Sequence, residues 1–291
     1  MSRRELLTEE ERTQLFGVPV DEASLARHYT LSPEDLELLL AKRGAHNILG
    51  AAVQLGLLRH PGFGLRSDEV VADALLRYLA GQLNVSASAF RHYARRVQTR
   101  PEHAKELAGL LGLRLSGRGD LPLMIRHATE AAAGTDKGVV IVGAVMHSIR
   151  AARIILPSPD TIERVGLAGR ARARKLAADT LIAPLTAEQI AGLDALLVSD
   201  PALKRSPLAW LRDVPEAPGA SNLNEIIERL TYVRKMQLDP KLAASIHEHR
   251  FRQLVREGAV APAFLLSDYS LRRRRATLTA QVIDLERLCR N

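Results

Sequence analysis

Two segments of the chain share a helix-starting sequence, serine and proline followed by an acidic residue. Residues 32–35 (Ser-Pro-Glu-Asp) and 158–160 (Ser-Pro-Asp) each combine a capping hydroxyl, a proline suited to the first turn, and negative charge at the positive end of the helix dipole. The first start opens a helix that breaks at Gly44, and the second follows a break at residues 155–157. The sequence therefore predicts a helix, a break and a second helix in both places, which is the arrangement of a helix-turn-helix unit.

The composition favours a chain built from helices. Ala, Leu, Arg and Glu are abundant, aromatic residues make up only 4%, and strand-forming residues are concentrated in one short run at 139–142. That run is either a buried strand or part of a helix, and its helical continuation to Arg153 favours the helix. The predicted fold class is all-α, with tandem helix-turn-helix bundles followed by a further helical region.

Glycine, proline and basic stretches divide the predicted helices into three regions. Residues 1–86 are expected to form a first helix-turn-helix DNA-binding bundle, with a helix opened at 67–69 after its turn. Residues 87–184 begin with a basic connector and are expected to form a second helix-turn-helix DNA-binding bundle, in which Thr135-Asp136 opens the helix before the break. Residues 185–291 are expected to form a helical linker or assembly region, opened by a capping box at Thr186. Its last helix carries a stripe that is either ordinary core or a surface for self-association, formed by Leu278, Val282, Leu285 and Leu288.

The charge of the chain is unevenly distributed. The net charge is +8, yet residues 1–40 hold four arginines against nine acidic residues. Residues 91–105 hold five basic residues against one acidic residue, and residues 150–175 hold seven against two. A polyanion such as duplex DNA is the simplest partner for such windows, because like charges crowded on a helix otherwise cost stability. The alternative is a solvated helical face.

The start of the second helix in each unit is the expected point of contact with base edges. In the first unit this places His46 and Asn47 at the DNA, although Asn47 is equally suited to cap the helix. In the second unit it places Ser158, Thr161 and Arg164 there. Basic side chains around both units are expected to contact mainly phosphates: Arg43, Arg59, Arg66, Arg95, Arg96, Arg100, Arg153, Arg170, Arg172 and Arg174. The run of arginines at 272–275 is either a third phosphate contact or a solvated face.

The sequence contains no recognisable catalytic, cofactor or metal-binding motif. His247 and His249 are two residues apart, a spacing that turns them to different sides of a helix, and no glycine loop is followed by Lys-Ser/Thr. The single cysteine excludes an intrachain disulfide and a cysteine-based zinc site. We therefore expect no enzyme activity, cofactor or metal, and a nuclease built from three scattered carboxylates is the alternative.

The N-terminal residues and the lengths of the apolar runs indicate the expected cellular location. Glutamates occupy positions 5 and 9–11, where a secretory signal needs apolar residues, and the longest apolar stretch is far shorter than a membrane span. The expected location is the bacterial cytoplasm, associated with the nucleoid, with no membrane partner.

Several fragments, taken in order along the whole chain, resemble the N-terminal portion of the replicative transposases of the Tn-three family. The fragments are Leu-Leu-Thr-Glu-Glu-Glu-Arg at 6–12, Leu-Ser-Pro-Glu-Asp at 31–35, His-Asn at 46–47 through Leu-Leu-Arg at 57–59, Gln-Thr-Arg at 98–100 with His103, 150–164, Trp-Leu-Arg at 210–212, Arg-Leu at 229–230 and Arg-Glu-Gly at 256–258.

The resemblance implies that residues 1–86 and 87–184 are similar to two DNA-binding units that recognise long terminal inverted repeats. The catalytic Asp-Asp-Glu triad of the family lies further along a much longer chain, so the resemblance assigns no catalytic residue here. Ile48 stands where the family often has a basic residue, which changes the contacts expected beside Asn47. The function expected is sequence-specific binding of terminal inverted-repeat DNA. The alternative is a helical adaptor for protein partners or a transposase remnant acting as an inactive partner.

Overall fold

The protein is built from helices, as the sequence predicts. The computed structural model describes residues 5–66, 70–96, 98–213 and 220–288. These residues form fifteen α-helices and three 3-10 turns and contain no β-strand, only two isolated backbone bridges. The run at 139–142 lies within a helix, which confirms the helical interpretation. The sequence features at 67–69, Pro215, Pro218 and Cys289 lie outside the described residues.

The chain divides into two compact units. The first comprises residues 1–128 and 137–168, and the second comprises residues 129–136 and 169–291. The first nine helices are α1 Glu9–Phe16, α2 Glu22–Tyr29, α3 Pro33–Leu40, α4 Ala45–Arg59, α5 Asp73–Leu83, α6 Thr99–Leu110, α7 Leu121–Gly134, α8 Gly138–Ala151 and α9 Pro159–Ile182. Helices α7 and α9 contribute residues to both units. The helices that follow are α10 Ala187–Ala195, α11 Pro207–Arg212, α12 Ala220–Lys235, α13 Glu248–Val260, α14 Ala263–Ser267 and α15 Leu271–Leu288.

These two units differ from the three regions expected from the sequence. The core of the first unit surrounds α4, and it includes Tyr93, Leu107 and Ala108, which lie beyond the expected boundary at residue 86. The basic segment that follows the 3-10 turn Ala87–His92 therefore lies at the edge of this core.

Several helix starts form as the sequence predicts. The hydroxyl of Ser32 accepts a hydrogen bond from the backbone N–H of Asp35, and the Asp35 carboxylate accepts one from the backbone N–H of Ser32. Thr186 and Gln189 form the same reciprocal pair at the start of α10. Each pair satisfies backbone donors that a helix start otherwise leaves without partners.

Two predicted helix starts are wrong. The helix α8 begins at Gly138 and not at Thr135, and the Asp136 side chain forms ion pairs with Arg174 and Arg250. The helix α5 begins at Asp73, and Val70, the residue that follows the start expected at 67–69, lies outside the helix and is exposed.

The helix α4 is the centre of the first unit. Ten consecutive residues, from Leu49 to Leu58, are buried, and α4 contacts α2, α3, α5, α6 and the 3-10 turn at Ala87–His92. The first turn of α4, residues 45–48, and its last residue, Arg59, are exposed or half-buried. Burial of the rest of the helix thus holds this first turn at the surface in a fixed position.

The second unit has a separate core in which α13 packs against α15. Leu278 and Val282 are buried there and Leu285 is half-buried. The stripe on the last helix is therefore ordinary core over these three residues, and the side chain of Leu288 lies outside the described residues.

Candidate nucleic-acid interface

The turn between α3 and α4 depends on Gly44. Its φ of 85° lies in the left-handed region, and a Cβ there would lie 2.9 Å from Cε1 of His46, so both backbone and space favour glycine. The Gly44 carbonyl accepts hydrogen bonds from the backbone N–H groups of Asn47 and Ile48, which start α4. The turn therefore fixes His46 and Asn47 in the first turn of the second helix.

The side chain of Asn47 forms one hydrogen bond within this turn. Its Nδ2 donates to the carbonyl oxygen of Arg43 at 3.0 Å. Asn47 does not cap α4, whose cap position is Gly44. Because an amide has two N–H donors and one carbonyl acceptor, the second N–H and Oδ1 of Asn47 are not used by this bond.

The basic segment at residues 91–96 lies against the first half of α4. The ring of Tyr93 packs on Gly50, and the Tyr93 hydroxyl accepts a hydrogen bond from Nε2 of the buried Gln54 at 2.5 Å and lies 3.1 Å from Nδ1 of His103. This buried contact holds the segment beside the first turn of α4.

His92 lies between two arginines in this segment. Nε of Arg91 donates to Nε2 of His92 at 3.2 Å, and Nη2 of Arg95 lies 2.5 Å from Nδ1 of the same ring. Partial burial, the positive charges of Arg95 and Arg91, and the neighbouring His46 lower the pKa of His92. His46 lies one helical turn before Gly50, the residue on which Tyr93 packs, so the basic segment and the first turn of α4 share one region of the surface.

We call this region the α4 surface and define it by the following residues: Arg43, His46, Asn47, Arg91, His92, Arg95 and Arg96. Within the part of the chain that the structure describes, none of its four arginines forms an ion pair with a carboxylate. Arg91 and His92 were not among the expected contacts, although the basic window of the sequence begins at Arg91. Their place beside α4 depends on the Tyr93–Gly50 contact, which sequence spacing does not encode.

Two of the expected phosphate contacts in this unit have structural roles instead. Arg59 forms a bidentate ion pair with Asp35, with distances of 2.6 and 2.7 Å, and joins α4 to α3. Arg100 is half-buried, with its guanidinium carbon 6.0 Å from the centre of the Tyr93 ring. Arg66 is exposed. We therefore leave Arg59 and Arg100 out of the proposed contacts.

The start of α9 was expected to enter the DNA groove as part of the bundle predicted at residues 87–184. Its polar side chains form hydrogen bonds and ion pairs within the fold. The hydroxyls of Ser158 and Thr161 lie 3.0 Å apart, and Nη2 of Arg164 donates to Oγ1 of Thr161 at 3.2 Å. Arg153 is exposed, and its backbone carbonyl accepts a hydrogen bond from the N–H of Arg114.

The acidic helix α1 is anchored on this helix start. Arg12 forms ion pairs with Asp160, at 2.6 Å, and with Glu163. A cleft of about 100 Å³ beside them is also lined by Glu5 and Glu9. These carboxylates oppose the approach of a phosphate, so the start of α9 is a less favourable DNA contact than the start of α4.

Basic side chains of the second unit are partly neutralised. Arg174 forms an ion pair with Asp136 at 3.0 Å, whereas Arg172 is exposed and Arg170 is half-buried. All four arginines at 272–275 pair with carboxylates, which belong to Asp179, Glu257 and Asp194. The run at 272–275 is thus a set of ion pairs within the fold.

The described residues contain neither a candidate metal site nor a candidate membrane-spanning helix. No group of three or more His, Cys, Asp or Glu side chains there is arranged to hold a metal ion. None of the helices within those ranges has the length and apolar character needed to cross a membrane.

The fold and the α4 surface together define an all-helical protein with an arginine-rich helix-turn-helix face. Residues 6–168 match the family described as "Domain of unknown function (DUF4158)", and the chain belongs to that family.

Curated relatives align with this chain along nearly its whole length. The transposase for transposon Tn501 of Pseudomonas aeruginosa is 36% identical over 284 residues, and the transposase for transposon Tn3926 of Escherichia coli is 35% identical over 284 residues. The transposase for transposon Tn1546 of Enterococcus faecium is 30% identical over 284 residues. These alignments cover 97–98% of this chain and 29% of each relative. The predicted resemblance to transposases is confirmed, and the chain spans about 29% of the length of these relatives.

Proposed function

We propose that this chain binds duplex DNA through the α4 surface, as a non-catalytic, DNA-binding part of a transposase. The observation that carries the proposal is the position of four arginines, none paired with a carboxylate in the described structure, around the exposed first turn of a helix-turn-helix. Such a helix start fits the major groove, and arginines beside it suit the flanking phosphates. The similarity to transposases supports terminal inverted repeats as the target and the cytoplasm, at the nucleoid, as the location.

The residues of the α4 surface divide into two roles. Asn47 is proposed to read a base, because its remaining N–H and Oδ1 match the edge of adenine. Arg43, Arg91, Arg95 and Arg96 are proposed to bind phosphates. Neutralising four phosphates predicts a log–log dependence of affinity on salt with a slope of roughly −4.

Salt-dependent binding of a fluorescein-labelled duplex, followed by anisotropy, tests this proposal. The double variant Arg95→Gln, Arg96→Gln is expected to make the slope less steep by about 2. The matched control is Arg272→Gln, Arg273→Gln, which removes two arginines that the fold pairs with carboxylates. The control is expected to keep the wild-type slope at temperatures where circular dichroism shows it folded. A flat salt response of the wild-type protein, or equal losses in the two double variants, contradicts the proposal.

A second candidate function, self-association through the second unit, is favoured by one observation. Val260, Phe264 and Leu271 are 84%, 73% and 56% exposed at the junctions of α13, α14 and α15. Three large apolar side chains exposed within residues 260–271 suit an association surface. Sedimentation equilibrium of the wild-type protein and of Phe264→Ser tests this function. A dimer that becomes a monomer in the variant supports it, and a monomeric wild-type protein contradicts it. A protein partner that survives nuclease treatment in a pull-down supports the adaptor role.

A further inference from the structure

The ring of His92 faces two groups that only donate hydrogen bonds. Guanidinium has five N–H donors and no acceptor, and a neutral imidazole has one acceptor nitrogen. The nitrogens Nε2 and Nδ1 of His92 lie 3.2 Å from Arg91 and 2.5 Å from Arg95, respectively. If Nε2 accepts from Arg91, then Nδ1 carries a hydrogen that points toward a second donor. The cluster therefore lacks an acceptor at its centre.

The charges around the ring have one sign. The groups that shift the pKa of His92 are Arg91 and Arg95 from its own segment and His46 from α4; α5, the other helix packed against the 3-10 turn, adds none. Across the described residues, Arg91 and Arg95 have no carboxylate partner. An anion with several acceptor oxygens supplies both features that the cluster lacks, namely negative charge and acceptors for two guanidinium groups.

We propose that Arg91, His92 and Arg95 form a binding site for a DNA backbone phosphate, and that His92 takes up one proton when the phosphate binds. The proton comes from solvent and adds to the ring nitrogen that accepts from Arg91 in the free protein. Both ring nitrogens then carry hydrogens, and the two arginines turn their donors to the phosphate oxygens. The inference rests on the proposed function, because it assigns a particular phosphate contact to the α4 surface.

The direction of the pH dependence follows from the local charges. Burial and neighbouring cations lower the pKa of His92 in the free protein, so the ring is neutral at about pH 7. A bound phosphate opposes those cations and raises the pKa, and each unit of that rise strengthens binding about tenfold at low pH. Affinity is therefore expected to increase by about tenfold as the pH falls from about 8 to about 6.

The test measures binding of a fluorescein-labelled duplex of random sequence across this pH range, at constant salt concentration. Calorimetry in two buffers of different ionisation enthalpy counts the protons taken up. The variant His92→Gln stays uncharged at all pH values, and it is expected to bind with a wild-type salt slope but to lose most of the proton uptake. The exposed His147→Gln is the matched control and is expected to retain the uptake, whereas His46→Gln tests whether the neighbouring histidine of the α4 surface takes up the proton instead.

The outcomes separate this inference from the proposed function. Salt-dependent binding in which the wild-type protein and His92→Gln take up the same number of protons overturns the His92 site and leaves DNA binding in place. Loss of the uptake in His46→Gln, with retention in His92→Gln, also overturns it. Absence of salt-dependent binding at any pH contradicts the proposed function and this inference together.

Discussion

The ring of Tyr93 packs so closely on the backbone of Gly50 that a Cβ on Gly50 would lie 2.0 Å from Cδ2 of the ring. The Tyr93 hydroxyl also bonds to Gln54, one turn further along α4. These two contacts hold the basic segment beside the first turn of α4. The proposed DNA-binding surface therefore depends on a buried contact between residues far apart in the sequence.

Gly50→Ala is expected to destabilise the protein and to weaken DNA binding. The added methyl group overlaps the Tyr93 ring, and overpacking of this kind costs about 1–3 kcal/mol of unfolding free energy. The control is Gly81→Ala in α5, where nothing lies within 4 Å of the added carbon, and it should stabilise the helix by about 0.5–1 kcal/mol. Urea denaturation measures the free energy of unfolding of both variants. Equal stability of Gly50→Ala and the wild-type protein would show that Tyr93 does not pack as described.

Asp35→Asn is expected to remove a pH-dependent contribution to stability. The hydrogen bonds from Arg59 lower the pKa of Asp35, so this contribution is present above the unfolded-state value of about 3.9 and is lost as the pH falls through the folded-state value. The variant should lose about 1–3 kcal/mol of unfolding free energy at neutral pH, because a charged partner is left without its counterion.

Thermal unfolding from neutral to acidic pH checks this expectation. The difference between Asp35→Asn and the wild-type protein should shrink below about pH 4. The control is Glu37→Gln, an exposed carboxylate on the same helix, which should stay within about 0.5 kcal/mol of wild type at neutral pH. A difference between wild type and Asp35→Asn that is constant across the acid range rules out the ion pair as its source.

Asn47→Ala is expected to relax sequence specificity, with a loss of about 1–3 kcal/mol on the preferred duplex and little loss on random DNA. The reason is that its free amide groups are proposed to bind one base. Arg96→Ala should weaken all duplexes alike, and we expect the same of Arg172→Ala in the second unit, whose side chain is also exposed. Competition binding with specific and random duplexes measures the ratio. Equal losses on both duplexes for Asn47→Ala would remove this residue from base recognition.

Local features of the fold were predictable from the sequence. Capping side chains, proline in the first turn and helical spacing are contained within a few residues, so the starts of α3, α9 and α10 and the helical state of 139–142 were predicted correctly. The family resemblance was equally readable, because its fragments keep their order along the chain.

Partners distant in the sequence were not predictable. Arg59 was expected to face DNA but binds Asp35, and the arginines at 272–275 bind carboxylates as far away as Asp179. Arg91 and His92, which were not among the expected contacts, join the α4 surface because Tyr93 packs on Gly50. The sequence shows how many basic residues a segment contains. Ion pairs with carboxylates in the fold determine which of those residues remain available for a phosphate.

Site-directed cross-linking tests the central claim most directly. Both variants are made in a Cys289→Ser background. Arg96→Cys places a thiol on the α4 surface. Arg252→Cys places a thiol in the second unit, at a position where the wild-type arginine is 68% exposed and pairs with Glu248. Each thiol is coupled to a photoreactive group and irradiated with duplex DNA. Cross-linking from position 96 that greatly exceeds cross-linking from position 252 is the predicted result. Efficient cross-linking from position 252, with none from position 96, would contradict the assignment of the α4 surface to DNA.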